Sequence, residues 1–446
     1  MLDIYIPEHF YQEKKYTMHV LTEVLLKLPV QFIMSSDADV HISVPGKGDI
    51  AIKDDFFSNF DNDVSYLKAS SLPSLPMFLV HEYATEESLP FFFGNNKFEK
   101  KGNQVVIYAD IVSTVFFLLS RWEEYVRPER DKFRRFPGHL SFLQRHKLHY
   151  RPIVNETAFF LLNVLKSIGF AYDDSSLPRF EIKPTHDVDN ILRFNGLKKT
   201  LKTIAGDMVL RKNPGEMMRS IKKARNVHRN KQADPFDCFD FLMDVAEKNN
   251  LCSSFYFIPA IRGEADFHYD IHSEVIKNKI DSITKRGHNI GIHASGNAAD
   301  NPEQFGVELA RLNDIAGDNI SEGRQHYLLL SVPETWQMWN DAGLKRDLSM
   351  CYENDGGFRC GIASEFPVYD VINRKQLKLY EQPTIVMEQA LKRSSHGLND
   401  FRNRFLTLKT TVKKYHGQFV FLWHQDNLKR YEWRDYEHIY PGLLKH

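Results

Sequence analysis

Phe180-Glu181-Ile182-Lys183-Pro184-Thr185-His186-Asp187-Val188-Asp189 reads as one extended segment ending in two carboxylates. Beyond it the chain alternates in kind. Leu192 to about Lys231 is helical and basic, Phe236–Asn249 forms an amphipathic helix, and Ser253–Ile258 is a short run of buried-strand type. Ser273–Arg286 is helical again, and Asn289–His293 is a further short strand. Strand and helix in turn predict a parallel sheet, a barrel or part of one. Functional residues in such folds gather at the carboxyl ends of the strands, where Asp187, Asp189 and His293 fall.

Side chains alternate along an extended segment, so Asp187 and Asp189 face the same way. Two adjacent carboxylates ionise together only at a cost unless a cation or a donor separates them. A divalent metal on one leaves the other free as a general base. An acidic pair that caps the next helix would look the same in sequence. Gly287-His288-Asn289-Ile290-Gly291-Ile292-His293-Ala294-Ser295-Gly296-Asn297 frames a strand with glycines and sets His293 where it opens into a loop. Imidazole suits zinc and similar cations, although a lone histidine also serves as a core residue. Gly323-Arg324-Gln325-His326-Tyr327-Leu328 offers Arg324 as a bidentate partner for a carboxylate, or as an ordinary surface pair. Val420-Phe421-Leu422-Trp423-His424 ends another apolar strand at a histidine able to give a proton to a departing amine at neutral pH.

Taken in order, Thr185–Asp189, Gly291–Ser295, Arg324–Tyr327 and Leu422–His424 resemble the motif set of the polysaccharide deacetylase (NodB-homology) family. More narrowly, the chain resembles a two-domain, cytoplasmic branch of that family that accompanies cell-surface polysaccharide synthesis. Leu119-Ser120-Arg121-Trp122-Glu123-Glu124-Tyr125 and Gly357-Phe358-Arg359-Cys360-Gly361 are similar to that branch as well. The catalytic resemblance covers roughly residues 180 to 430, and a weaker likeness covers most of the remainder. It implies an α/β fold: a deformed (β/α) barrel of polysaccharide-deacetylase type with an additional N-terminal α/β domain. It also implies one divalent metal ion, zinc being the expected one. By position, Asp187 corresponds to the general base, Asp189 and His293 to metal ligands, Arg324 to the arginine that orients the base, and His424 to the general acid. The family supplies a second metal histidine one helical turn after the first, where this chain has Asn297. An amide oxygen binds zinc more weakly than imidazole but suits harder cations, and His326 is the alternative replacement ligand. The family's commoner Asp-Asp pair is Asp-x-Asp here.

The resemblance implies a metal-dependent hydrolase that removes an acetyl group, N-acetyl foremost, from a sugar in cell-envelope polysaccharide assembly. Asn297 motivates an alternative: a divergent deacetylase-like protein that binds a sugar or a glycan-assembly partner without hydrolysing it.

The amino-terminal part reads as a separate α/β module, residues 1–175, followed by the catalytic part, residues 176–446, with Asp173-Asp174-Ser175-Ser176 and Pro178 as linker. Ile4–Ile6, Val30–Met34 and Val40–Val44 are predicted strands, and Glu8–Leu28, Asp110–Tyr125 and Glu156–Ile168 predicted helices. A charged, aromatic segment runs from Arg127 to Tyr150. At 446 residues the chain exceeds what one core usually serves, and its 42% hydrophobic content suits packed cores.

Lys plus Arg equals Asp plus Glu at 58 each, so no overall field points to nucleic acid. The expected partner is an acetylated sugar, free or carried on a phosphate. A local basic cluster, Lys198, Lys199, Lys202, Arg211, Lys212, Arg219, Lys222, Lys223, Arg225, Arg229 and Lys231, is either a solvated face or a surface for a phosphorylated substrate or the anionic inner membrane. Met208, Val209 and Leu210 either make peripheral contact with that membrane or belong to the core. Trp423, Tyr327, Phe358 and Tyr352 are candidates for sugar stacking, and Arg359 for a substrate carboxylate or phosphate. Cys238, Cys252, Cys351 and Cys360 form no CxxC pair and read as free thiols of a reducing compartment. Met1-Leu2-Asp3-Ile4-Tyr5-Ile6-Pro7 lacks the pattern of a signal peptide, so a cytoplasmic protein is expected.

Overall fold

The computed structural model describes residues 1–194, 200–201, 205, 214–229, 231–317 and 320–445. Eight strands come first: β1 (Leu2–Pro7), β2 (Val30–Ser35), β3 (Val40–Val44), β4 (Gly48–Ile52), β5 (Met77–Leu79), β6 (Leu89–Phe91), β7 (Gly94–Lys101) and β8 (Gln104–Ala109). Six of them form a mixed sheet in the order β2-β1-β3-β4-β8-β7, and β5 pairs with β6 separately. Alternation explains the sheet's inner face: Leu2, Ile4 and Ile6 on β1 and Val40, Ile42 and Val44 on β3 are all buried. β5 and β6 are too short to show a period, and β7 is polar on both faces, so neither announces itself in the sequence.

The helices depart from expectation in two places. Asp110 caps a helix by accepting from the Ser113 N–H at 2.8 Å, but the expected span is two helices, Ile111–Ser120 and Trp122–Val126. Arg121 breaks them with a left-handed φ of 54°. Similarly, the helix expected over Glu8–Leu28 is α-helical at Tyr11–His19 and π-helical at Val20–Leu25. A helix over Ile153–Ser167 completes the layer, and the single turn Asp174–Ser176 leads to the second sheet.

That sheet holds β9 (Glu181–Val188), β10 (Ser254–Phe257), β11 (Asn289–Ala294), β12 (Glu322–Gln325), β13 (Arg346–Asp347), β14 (Phe366–Asp370), β15 (Lys375–Glu381), β16 (Val386–Met387) and β17 (Gln418–Leu422). The order is β14-β15-β13-β12-β11-β10-β9-β17-β16, parallel throughout except for the antiparallel pair β14/β15. Parallel neighbours need crossovers, supplied by amphipathic helices such as Phe239–Lys248 and Glu274–Lys285; the latter buries Ile276, Ile280 and Ile283 at 3–4 spacing. The sheet must curl. Arg324 on β12 donates to Thr185 on β9 at 2.9 Å, whereas in a flat sheet three strand spacings of about 4.8 Å would separate them. The fold is therefore mixed α/β, with a curled parallel sheet whose carboxyl ends converge.

The two sheets share one hydrophobic core. The Tyr16 hydroxyl donates to the Pro367 carbonyl and the Val154 N–H to the Gly361 carbonyl, both at 2.8 Å. Of the basic cluster, Lys198, Lys199, Lys202, Arg211 and Lys212, together with Met208, Val209 and Leu210, lie outside the described residues. Arg219, Lys222, Lys223, Arg225 and Arg229 are exposed on or just after the helix Pro214–His228, and Lys231 is exposed beyond it. Among the described residues no helix is long and apolar enough to cross a membrane. Cys238, Cys351 and Cys360 are buried thiols and Cys252 is exposed.

Candidate active site

β9 carries Asp187 and leads directly to Asp189. Strand alternation turns His186 the other way, into the outer core, where its Nδ1 lies 2.8 Å from the Trp423 carbonyl oxygen. Burial pulls the His186 imidazole down to about 4, as expected for a neutral core histidine. Asp187 faces the interior. Arg324 Nη1 donates to its Oδ1 at 2.5 Å, while the other guanidinium nitrogens donate to the Leu348 carbonyl, Thr185 and Thr384 at 2.8–3.0 Å. Burial alone would raise the Asp187 carboxyl; Arg324, then His293 and His424, outweigh it and hold it below the usual range.

His293 ends β11. Its Nδ1 lies 2.8 Å from the carbonyl oxygen of Arg324, which places the ring proton there and leaves the Nε2 lone pair free. Nε2 faces both carboxylates, 3.5 Å from Asp187 Oδ2 and 3.6 Å from Asp189 Oδ1. His326 follows β12 and repeats the arrangement. Its Nδ1 lies 3.1 Å from Asp266 Oδ2 and its Nε2 3.9 Å from Asp189 Oδ1. Ligand atoms of Asp189, His293 and His326 all lie within 4.8 Å of one another, so the three could hold a metal ion. Donors about 2.1 Å from one tetrahedral ion stand about 3.4 Å apart, and the Asp189 oxygen lies 3.6 and 3.9 Å from the two imidazole nitrogens. Asp189 Oδ1 is buried without a hydrogen-bond partner among the described residues, which a cation would resolve. His293 is oriented from behind through Nδ1, as metal-binding imidazoles usually are, while His326 has the Asp266 carboxylate 3.1 Å behind its Nδ1 without a well-aligned hydrogen bond. The donor set fits a divalent ion. Asn297 is exposed on the loop after β11, so of the two candidate replacement ligands it is His326 that stands among the buried donors.

His424, just beyond β17, completes the ring of residues. Its Nε2 lies 3.8 Å from Asp189 Oδ2 and its Nδ1 2.8 Å from Glu388 Oε1. Burial opposes charging of the imidazole, but Glu388 foremost, then Asp189 and Asp187, raise it to about 10. These carboxylates favour the charged imidazole, whose Nε2 faces the site.

Two residues that sequence reading passes over therefore hold key positions. Glu388 ends the short run Thr384-Ile385-Val386-Met387, the same strand-to-charged-residue pattern as the other motifs, and could have been found by it. Asp266 lies in an irregular loop with no periodic signal. Three candidate sugar-stacking residues, Trp423, Phe358 and Tyr352, are instead core residues with at most 1% exposure, whereas Tyr327 is 40% exposed beside His326. Arg359 does not reach the site either: it is buried against Glu124, Nη2 to Oε2 2.7 Å.

Residues 2–169 match the model of a family of unknown function (DUF7033). Among solved structures, one described as "putative polysaccharide deacetylase from Mycobacterium smegmatis" aligns at 14% identity with a TM-score of 0.36, over 58% of this chain and 80% of that one. No curated protein matches the chain.

Proposed function

We propose that the chain is a metal-dependent carbohydrate deacetylase built on a deformed (β/α) barrel, with residues 176–446 as the catalytic part and 1–175 as an accessory domain. The observation that carries this reading is the convergence of Asp187, Asp189, His293, His326 and His424 at the carboxyl ends of β9, β11, β12 and β17, four of five successive strands. Asp189, His293 and His326 would hold the ion, zinc being the expected one. A bound divalent ion supplies Lewis acidity to an acyl oxygen and lowers the pKa of water.

The remaining chemistry belongs to the chain. Asp187 has one carboxylate oxygen fixed by Arg324 and the other turned toward the metal ligands, so it takes the proton of an attacking water. Arg324 keeps Asp187 ionised and pinned, because its four hydrogen bonds fix the guanidinium in one place. His424, charged through Glu388, gives its Nε2 proton to the departing nitrogen of an N-acetyl group. The substrate class we propose is an acetylated amino sugar of cell-envelope polysaccharide assembly, free or carried on a phosphate, handled in the cytoplasm.

Acetate release from a panel of free, nucleotide-linked and lipid-linked N-acetyl sugars tests the reading. Asp187→Asn should lower the rate ~10²–10⁴-fold, the scale of a positioned acid–base group. Equal release by the variant removes Asp187 from its role, and no release from any sugar by zinc-loaded protein defeats the proposal.

A further inference from the structure

The segment from Arg127 to Tyr150 belongs to the amino-terminal part, yet it packs over the loops that carry the metal ligands. Arg135 Nη1 donates to the Tyr327 carbonyl oxygen at 2.8 Å, while its Nε and Nη2 hold Asp131 at 2.9 and 2.7 Å. Phe133 stacks on the Tyr327 ring with centroids 5.2 Å apart and planes 15° from parallel. The Tyr327 ring stacks in turn on His326 at 3.8 Å. The neighbouring Arg134 reaches the other ligand loop, at Asp300 Oδ2 (2.7 Å) and the Gly296 carbonyl (3.2 Å).

What these contacts hold is a strained turn. Tyr327 and Leu328, immediately after His326, have φ of 58° and 56°, the left-handed region that side-chain-bearing residues rarely adopt. Two such residues in succession persist only where the surroundings enforce them. The enforcing groups come from two directions. Asp266 accepts from the Gly296 N–H at 2.7 Å, approaches His326 Nδ1 at 3.1 Å and accepts from the Tyr327 hydroxyl at 3.4 Å, all from within the catalytic part. Phe133 and Arg135 act from outside it, on the ring and the carbonyl of Tyr327.

Resting on the reading of Asp189, His293 and His326 as a metal group, we infer that Phe133 and Arg135 are positioning residues for it. They hold the Tyr327–Leu328 turn left-handed and keep the His326 imidazole directed at Asp189, so the amino-terminal part completes the metal site. Without them the turn is held only from the Asp266 side, and the imidazole is less firmly directed at Asp189.

The test is zinc affinity, measured on the chelator-stripped full-length chain by competition with a chromogenic chelator. Arg135→Gln and Phe133→Ala should weaken zinc binding up to ~10-fold, the lower end of the effect of losing a group bonded directly to a ligand, because both act through Tyr327. Arg135→Lys, which can still donate to the Tyr327 carbonyl, should recover part of the loss. Phe133→Leu keeps the apolar anchor and removes the stacked ring, so it tests the same claim should Arg135→Gln fail to fold. A merely structural role predicts a lower urea midpoint in chelator with zinc affinity unchanged, and that result overturns the inference. Asp189→Asn, which should lose binding outright, separates the two levels. If the wild-type chain takes up no zinc, the metal reading falls and the inference with it. If wild type binds and the variants bind as tightly, the inference alone falls.

Discussion

Glu388 is wholly buried and makes three contacts through one oxygen: to His424 Nδ1 at 2.8 Å, to the His424 backbone N–H at 3.0 Å and to Asn427 Nδ2 at 2.6 Å. A buried carboxylate so placed fixes the imidazole's orientation and favours its charged form. Glu388→Gln keeps the shape and loses the charge, so it should lower kcat ~10²–10⁴-fold while zinc content stays at the wild-type level. Steady-state kinetics with metal analysis checks both, and an unaltered kcat would remove His424 from the acid role. Much of the site is legible in the sequence because Asp187, His293 and His424 each stand at or just past the carboxyl end of a strand. Arg324 instead lies within the polar strand Glu322–Gln325 and is legible only from the order of the motifs. The alternation rule also separates His186 from Asp187 correctly. Asp266 is not legible, since a loop residue acquires its role only from what the fold brings to it. Arg359 misleads for the same reason: a guanidinium's partner, 235 residues away, is invisible to local reading.

Two stretches far apart in the sequence, Leu119–Tyr125 and Gly357–Gly361, meet in space. Arg121 and Arg359 converge on Glu124, with Arg121 Nη2 at 2.8 Å from Oε1 and Arg359 Nη2 at 2.7 Å from Oε2, all three side chains buried. The left-handed break at Arg121 is what turns Glu124 toward this meeting. On the other side Gly357, with φ of 137°, lets the loop lie against the amino-terminal part: a Cβ there would stand 2.4 Å from the His149 carbonyl oxygen. Removing one partner of a buried ion group strands the others. Glu124→Gln leaves two guanidiniums unpaired and should cost ~3–5 kcal/mol in urea unfolding. Arg359→Met leaves the Arg121–Glu124 pair intact and should cost clearly less; equal losses would show that the triad does not act as one unit. The helix break is the part of this element that periodicity misreads, because the apolar spacing from Val112 to Trp122 continues across it.

At the scale of the molecule, the edge strand β14 is covered by the amino-terminal part rather than by its own sheet's helices alone. Tyr369 on β14 packs against Tyr16 and Phe116, with ring centroids 4.9 and 5.3 Å apart, and all three rings are buried. A chain cut to residues 176–446 would expose this face on a strand edge, an aggregation hazard. The two sheets should therefore unfold as one unit, although composition and linker chemistry alone suggest two. Trp122 reports on the amino-terminal part, and Trp336, Trp339, Trp423 and Trp433 on the other. Zinc at 100 times its dissociation constant adds about 2.7 kcal/mol to whatever unit contains its site. If His326 is held by Phe133 and Arg135 and the core is shared, that gain must shift the entire urea transition, including the signal from a chain in which Trp122 is the sole tryptophan. Two separate transitions, with zinc moving the later one and leaving Trp122 untouched, would instead mean that the amino-terminal part folds and acts on its own.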